Sequence, residues 1–220
     1  MRYKLAVFDL DGTILNTIDD LTDSTNHALA HFGFPLRSLY EVNGFVGNGI
    51  HKLIERAVPQ GTSEQDTENV FKEFAAYYKT HCDIKTKPYA GIEDLLIILR
   101  NSGCKTAVVS NKADFAVKKL CDKFFPSLFD AVVGEKSGIA RKPAPDTVNA
   151  VLKELNILKE NAVYIGDSDV DIQTAANAHM DCISVSWGFR STEFLQNNGA
   201  AIIANKPDDI RDIILDDINL

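Results

Sequence analysis

Six short apolar runs constrain this chain more than any other feature: Leu5 to Phe8, Thr106 to Val109, Ala131 to Val133, Ala162 to Ile165, Cys182 to Val185 and Ala201 to Ile203. Rich in Val, Ala and Ile, they read as buried strands. Between the later runs, apolar residues recur every three or four positions, as in Ile92, Leu95, Leu96 and Leu99, or Val148, Val151, Leu152 and Leu155. That spacing marks one face of a helix. Strand and helix in alternation imply an α/β fold, a Rossmann-like parallel sheet covered on both faces.

One gap breaks the rhythm. About ninety residues separate the first run from the second, where a crossover needs about a dozen or a few more. The intervening pattern from Ile18 to Cys82 is helical: Leu21, Ala28, Leu29 and Phe32 share one face, Ile50, Leu53, Ile54 and Ala57 another, and Val70, Phe71, Phe74, Tyr77 and Tyr78 a third. The expectation is an α/β core built from 1–15 and 86–220, with a helical domain inserted over 16–85. Gly12 to Thr17 lead into the insertion and Lys85 to Gly91 lead out.

Composition narrows the partners. The 220 residues carry 31 acidic and 23 basic side chains, a net charge of -8. With no Lys/Arg run longer than two, the chain offers neither a track for nucleic acid nor a surface for acidic membranes. The apolar stretch after Met1-Arg2-Tyr3-Lys4 is broken at Asp9, too early for a signal-peptide core or a membrane span, so a cytoplasmic location is expected. Cys82, Cys104, Cys121 and Cys182 are scattered without a CxxC, which suggests reduced thiols and no zinc knuckle.

The chemistry is written at the ends of the runs. Asp9-Leu10-Asp11-Gly12-Thr13 follows the first directly. Residues two apart in an extended chain point the same way, so Asp9 and Asp11 present two carboxylates where open α/β sheets bind ligands. A lone Asp-Leu-Asp-Gly is equally a turn. However, Ser110 and Asn111 end the second run, Lys142 lies in the loop after the third, and Gly166-Asp167 end the fourth. Taken singly these are caps and surface charges; at the carboxyl ends of neighbouring parallel strands they converge.

Together with Lys142-Pro143 and Gly166-Asp167-Ser168-Asp169-Val170-Asp171, these segments resemble the four ordered motifs of the haloacid dehalogenase superfamily. The likeness covers nearly the whole chain. The insertion after the first motif resembles that superfamily's C1-type helical cap, and Val46-Gly47-Asn48-Gly49 resembles the cap signature of its phosphoglycolate phosphatases. Pro88-Tyr89-Ala90-Gly91 is similar to the return hinge.

The resemblance implies a Mg²⁺-dependent phosphatase of a small phosphorylated metabolite, 2-phosphoglycolate first. Asp9 would be the nucleophile, forming an aspartyl-phosphate, and Asp11 the general acid and then base. Ser110, Asn111 and Lys142 would hold the phosphoryl oxygens. The metal ligands implied are Asp9, the backbone carbonyl of Asp11, and Asp167. Asp171, four residues beyond Asp167 on a helix, is a further candidate metal residue placed to back it up, while Asp169 is rotated away. An all-oxygen acidic site suits Mg²⁺.

Gly47, Asn48 and Gly49 precede a helical segment, so bare N–H groups there would hold a small anion such as a carboxylate; a glycine-rich turn is the plain alternative. His27 and His31 read as residues of an ordinary amphipathic helix, and the role of Arg190 stays open. By the same resemblance a sugar phosphomutase or a pyrophosphatase would use the same fold, and Thr13 after Asp11-Gly12 resembles the phosphatases. A dehalogenase would not need Asp11. A phospho-accepting receiver module shares the acid cluster but has a shorter chain and its acceptor on a later strand. The expected assembly is a monomer or a homodimer.

Overall fold

The structure, a computed structural model, describes residues 1–215. In chain order the elements are β1 (Leu5–Phe8), β2 (Leu15–Asn16), α1 (Ile18–His31), α2 (Leu39–Phe45), α3 (Ile50–Ala57), α4 (Glu64–His81), β3 (Lys87–Pro88) and α5 (Ile92–Asn101). They continue with β4 (Lys105–Ala113), α6 (Asp114–Phe124), β5 (Ala131–Glu135), α7 (Asp146–Leu155), β6 (Ala162–Gly166), α8 (Asp169–Ala178), β7 (Asp181–Val185), α9 (Thr192–Asn197), β8 (Ile202–Ala204) and α10 (Pro207–Leu215).

The six apolar runs form one parallel sheet in the order β5-β4-β1-β6-β7-β8. From β1 the chain builds outward through β4 and β5 on one side, and through β6, β7 and β8 on the other. The order reverses between β1 and β6, and a crevice opens at such a switch point beyond the carboxyl ends of the strands. Asp9 and Asp167 stand immediately after those two strands.

Side chains alternate across the sheet, as period-two geometry requires. Ala6, Phe8, Val108, Val163 and Ile165 face the layer holding Leu95, Leu99, Leu120 and Ile210. Leu5, Val7, Ala107, Val109 and Tyr164 face Val148, Val151, Ala175 and Ala178. Each fully buried aliphatic or aromatic side chain is worth about 1.5–3 kcal/mol, so both helical layers are held firmly on the sheet.

Contacts divide the chain into two compact units: Met1–Leu15 with the chain from Pro88 onward, and Asn16–Lys87. The second unit contains α1 to α4. Leu21, Ala28 and Leu29 of α1, Leu53, Ile54 and Ala57 of α3, and Val70, Phe74 and Tyr78 of α4 are buried. Phe32, expected on the buried face, is 37% exposed. Helix α1 stops at His31, and Gly33 at φ 70 turns the chain away. Asp20, in the first turn of α1, is buried and accepts hydrogen bonds from the backbone N–H groups of Ile84, Lys85 and Thr86 and from the Thr86 hydroxyl, at 2.7–3.1 Å. Helix α1 and the segment leaving α4 are thereby stapled together.

A second correction concerns β4. Ser110 and Asn111 were expected to end the strand, yet it runs on to Ala113 with its register shifted between Val109 and Ala113. Gly134 permits this, because a Cβ there would lie 2.6 Å from the Lys112 carbonyl oxygen and 2.5 Å from Asp114 Cα. Among the described residues, no helix is long and apolar enough to cross a membrane.

Candidate active site

Asp9 continues the ladder beyond β1, donating its N–H to the Ile165 carbonyl at 2.9 Å. The chain then turns back sharply, and the Leu10 carbonyl accepts from the N–H groups of Thr13, Ile14 and Leu15 at 3.0–3.3 Å. Gly12, at φ +86, makes the turn and leaves room for Asp167, whose Oδ2 lies 2.3 Å from where a Cβ would stand. Asp9 and Asp11 thus come from one strand end, but their carboxylates have different partners. Lys142 Nζ stands 2.8 Å from Asp9 Oδ1, and Lys112 Nζ stands 2.8 Å from Asp11 Oδ1.

Lys142 is held from several sides. The Asn111 side chain accepts from its N–H at 2.9 Å and donates to its carbonyl at 3.0 Å. Its ammonium reaches Asp171 Oδ1 at 2.7 Å and the Tyr164 hydroxyl at 3.1 Å, besides Asp9. Asn111, expected to meet the phosphoryl group through its N–H, thus spends its side chain on orienting Lys142. Ser110 is buried, and its Oγ accepts from the Lys112 N–H at 3.2 Å.

Asp171 is densely hydrogen-bonded. One oxygen accepts from the N–H groups of Asp167 and Ser168 and from the Ser168 hydroxyl at 2.6–3.1 Å. The other accepts from Lys142 and, at 3.4 Å, from Tyr164. A carboxylate has about four lone-pair sites; two N–H groups, the Ser168 hydroxyl and Lys142 fill them, while the single Tyr164 proton has the Val109 carbonyl nearer, at 3.2 Å. Asp171 therefore anchors Lys142 and the start of α8.

Asp167 Oδ2 accepts from the Phe189 N–H at 2.6 Å, and Oδ1 from the Thr13 hydroxyl at 3.3 Å. Gly188 permits the approach: a Cβ there would sit 2.2 Å from Asp167 Cβ and 2.6 Å from the Gly12 carbonyl oxygen. The Trp187 indole N–H closes the same corner on the Thr13 carbonyl at 3.0 Å.

Carboxylate oxygens of Asp9, Asp167 and Asp171 lie within 4.8 Å of one another, all three residues being buried. Burial pushes the Asp9 carboxyl up to about 7, the nearby Asp171 charge adding to the rise and Lys142 opposing it. Asp167 is raised well above the usual carboxylate range by burial, then by Asp171 and Asp9. Burial disfavours the Lys142 charge, yet Asp171 and Asp9 hold its proton on more tightly than usual. Three buried carboxyls beside one lysine can ionise together only if a further cation joins them. An all-oxygen donor set fits a hard divalent one.

Gly47, Asn48 and Gly49 lie in the inserted unit. Gly47 and Gly49 adopt φ of 120 and 84, with Gly49 at the N-cap of α3. The Asn48 side chain accepts from Arg56 at 2.9 Å, and Arg56 also donates to the Phe45 carbonyl at 2.8 Å. His27 stacks on Tyr77 at 3.8 Å and pairs with Glu73 at 3.0 Å; His31 lies against Phe32.

Three contributors escaped the sequence reading. Lys112 was hidden because its run was taken to stop at Val109. Tyr164 looked like one more apolar strand residue, though its hydroxyl is the polar atom at the heart of the group. The Phe189 N–H carries no side-chain signal at all.

A family model described as haloacid dehalogenase-like hydrolase matches residues 6–185. The chain is 35% identical to a phosphoglycolate phosphatase of Psychrobacter arcticus over 200 residues, covering 86% of each. It is 31% identical to phosphoglycolate phosphatase 1 of Pseudomonas aeruginosa over 222 residues, which span 96% of this chain and 78% of that one. A crystal structure from Lactobacillus delbrueckii subsp. bulgaricus, provisionally described as a phosphoglycolate phosphatase, superimposes with a TM-score of 0.93 at 40% identity, covering 98% and 99% of the two chains.

Proposed function

The chain belongs to the haloacid dehalogenase-like hydrolases, and on that premise we propose that it is a Mg²⁺-dependent phosphatase of a small phosphorylated metabolite, with 2-phosphoglycolate the first substrate to test. The observation that carries this reading is the Asp9 carboxylate, held at the switch point 2.8 Å from Lys142 and clustered with Asp167. The names of relatives at 31–35% identity support the choice of substrate.

Asp9 attacks phosphorus through one carboxylate oxygen, splitting one slow displacement into two easier ones. Asp11 gives a proton to the leaving oxygen as the P–O bond breaks, then takes one from the water that cleaves the aspartyl-phosphate and returns the electron pair to Asp9. Lys142 and the Ser110 hydroxyl stabilise charge on the phosphoryl oxygens, where loss of one donor costs about 2.7–4 kcal/mol of barrier. Asn111 and Asp171 hold Lys142 in place from opposite sides.

Asp9, Asp167 and the Asp11 carbonyl would hold the cation. Asp171, its oxygens taken up by donors, supports them from behind. When bound, Mg²⁺ offsets the charge between the carboxylates and the phosphoryl group. Gly47, Asn48 and Gly49 are proposed to meet the rest of the substrate, with cap residues 16–85 choosing among phosphoesters.

Phosphate release over phosphoglycolate, sugar phosphates, nucleotides and pyrophosphate, with Mg²⁺ and with chelator, tests the proposal. Preferential, chelator-sensitive release from phosphoglycolate is expected. An isomerised sugar phosphate without free phosphate, or stable phosphorylation of the protein without turnover, would overturn it.

A further inference from the structure

The proposed chemistry asks one carboxyl group, Asp11, to serve twice, and the structure supplies that group with a partner of its own. Lys112 is only 3% exposed, and its ammonium stands 2.8 Å from Asp11 Oδ1. Its backbone is fixed on both sides: its N–H donates to Ser110 Oγ at 3.2 Å, and its carbonyl oxygen occupies the space that Gly134, lacking a Cβ, leaves open. Asp11, by contrast, sits in the turn that Gly12 makes. A side chain on β4 therefore grips a side chain on a turn.

The geometry points to Lys112 as a positioning residue: its ammonium, 2.8 Å from Asp11 Oδ1, holds that carboxyl in line for the proton exchanged with the leaving oxygen and then with water. The proton leaves Asp11 as the P–O bond to the leaving group breaks, and Asp11 regains one from water as the bond between phosphorus and Asp9 breaks. Holding such a group in line matters, because a displacement of about 1 Å can cost about 10²-fold in rate.

The inference rests on the reading of Asp11 as acid and base, and the test separates the two. kcat/KM reports the first half-reaction, so two substrates are compared: phosphoglycolate, whose alkoxide leaving group needs a proton, and p-nitrophenyl phosphate, whose phenolate needs little help. Lys112→Met is expected to lower kcat/KM for phosphoglycolate by about 10²-fold, and for the aryl ester by less than about three-fold. In an Asp11→Asn background the same change should cost nothing further. Should Met at 112 prevent folding, Lys112→Gln, which keeps an N–H donor, carries the same comparison with a smaller loss. Equal losses on both substrates, or no loss on either, would overturn the role of Lys112. An Asp11→Asn protein that keeps full activity on phosphoglycolate would instead overturn the reading of Asp11.

Discussion

Charge is used differently in the two units. In the α/β unit Asp9, Lys142, Asp167 and Asp171 are buried, and their partners come from four separate strand ends or loops. In the inserted unit most ion pairs are exposed and several are local, as with Arg37 and Glu41, and Lys52 and Glu55. Exposed pairs of this kind are worth about 0–1 kcal/mol. Buried ones penalise the fold heavily when either partner is lost. Asp20 of the inserted unit is also buried, but it meets only backbone N–H groups and a hydroxyl; it is opposed charges kept inside together, as at Asp9, Lys142 and Asp171, that mark the candidate chemistry.

The sharpest way to break this contrast is Asp9→Asn, which removes the nucleophile and little volume. Phosphate release should fall by more than about 10³-fold with an unchanged circular dichroism spectrum; an active variant would leave the buried cluster without a catalytic meaning. Lys142→Met comes next. It strands Asp9 and Asp171 in the interior, so chemical denaturation should show a loss of about 3–5 kcal/mol along with most of the activity. Gly188→Ala has no room against Asp167, and a destabilisation of about 1–3 kcal/mol is expected, with weakened Mg²⁺ binding measured by calorimetry.

A pH titration of the metal-free protein sharpens the comparison further. The Asp9 carboxyl is raised from 3.8 to about 7 in the fold, so the folded state binds its proton more tightly than the unfolded chain. That contribution is complete below about pH 4 and is lost as pH rises through about 7. The melting temperature should decline over this window, and saturating Mg²⁺ should reverse the decline. The smallest effect is assigned to the inserted unit. Asn48→Ala, which releases Arg56, should raise KM for phosphoglycolate by less than about ten-fold and leave kcat within about two-fold. A large fall in kcat there would erase the distinction.

The fold was legible because apolar runs and helical spacing survive any local disturbance. Asp9, Lys142 and Asp167 were legible because each follows a run at the end where ligands gather. The boundary at Ser110 was misread because a register shift, invisible in the sequence, keeps a polar segment in the strand. Helix spacing also made Asp171 legible as a candidate metal residue, and its oxygens do cluster with those of Asp9 and Asp167. Its hydrogen bonds to Lys142 and Ser168 carry no signal in the sequence.

The Asp20 staple bears on how such a chain can be rearranged. It ties the first turn of α1 to Ile84, Lys85 and Thr86, so both ends of the insertion are fastened by bonds that lie wholly within it. A transplant cut after Leu15 and before Pro88 carries its own fastening. One cut before Ile84 would leave a buried aspartate facing nothing. The segment is thereby delimited as a cassette whose two ends are tied to each other.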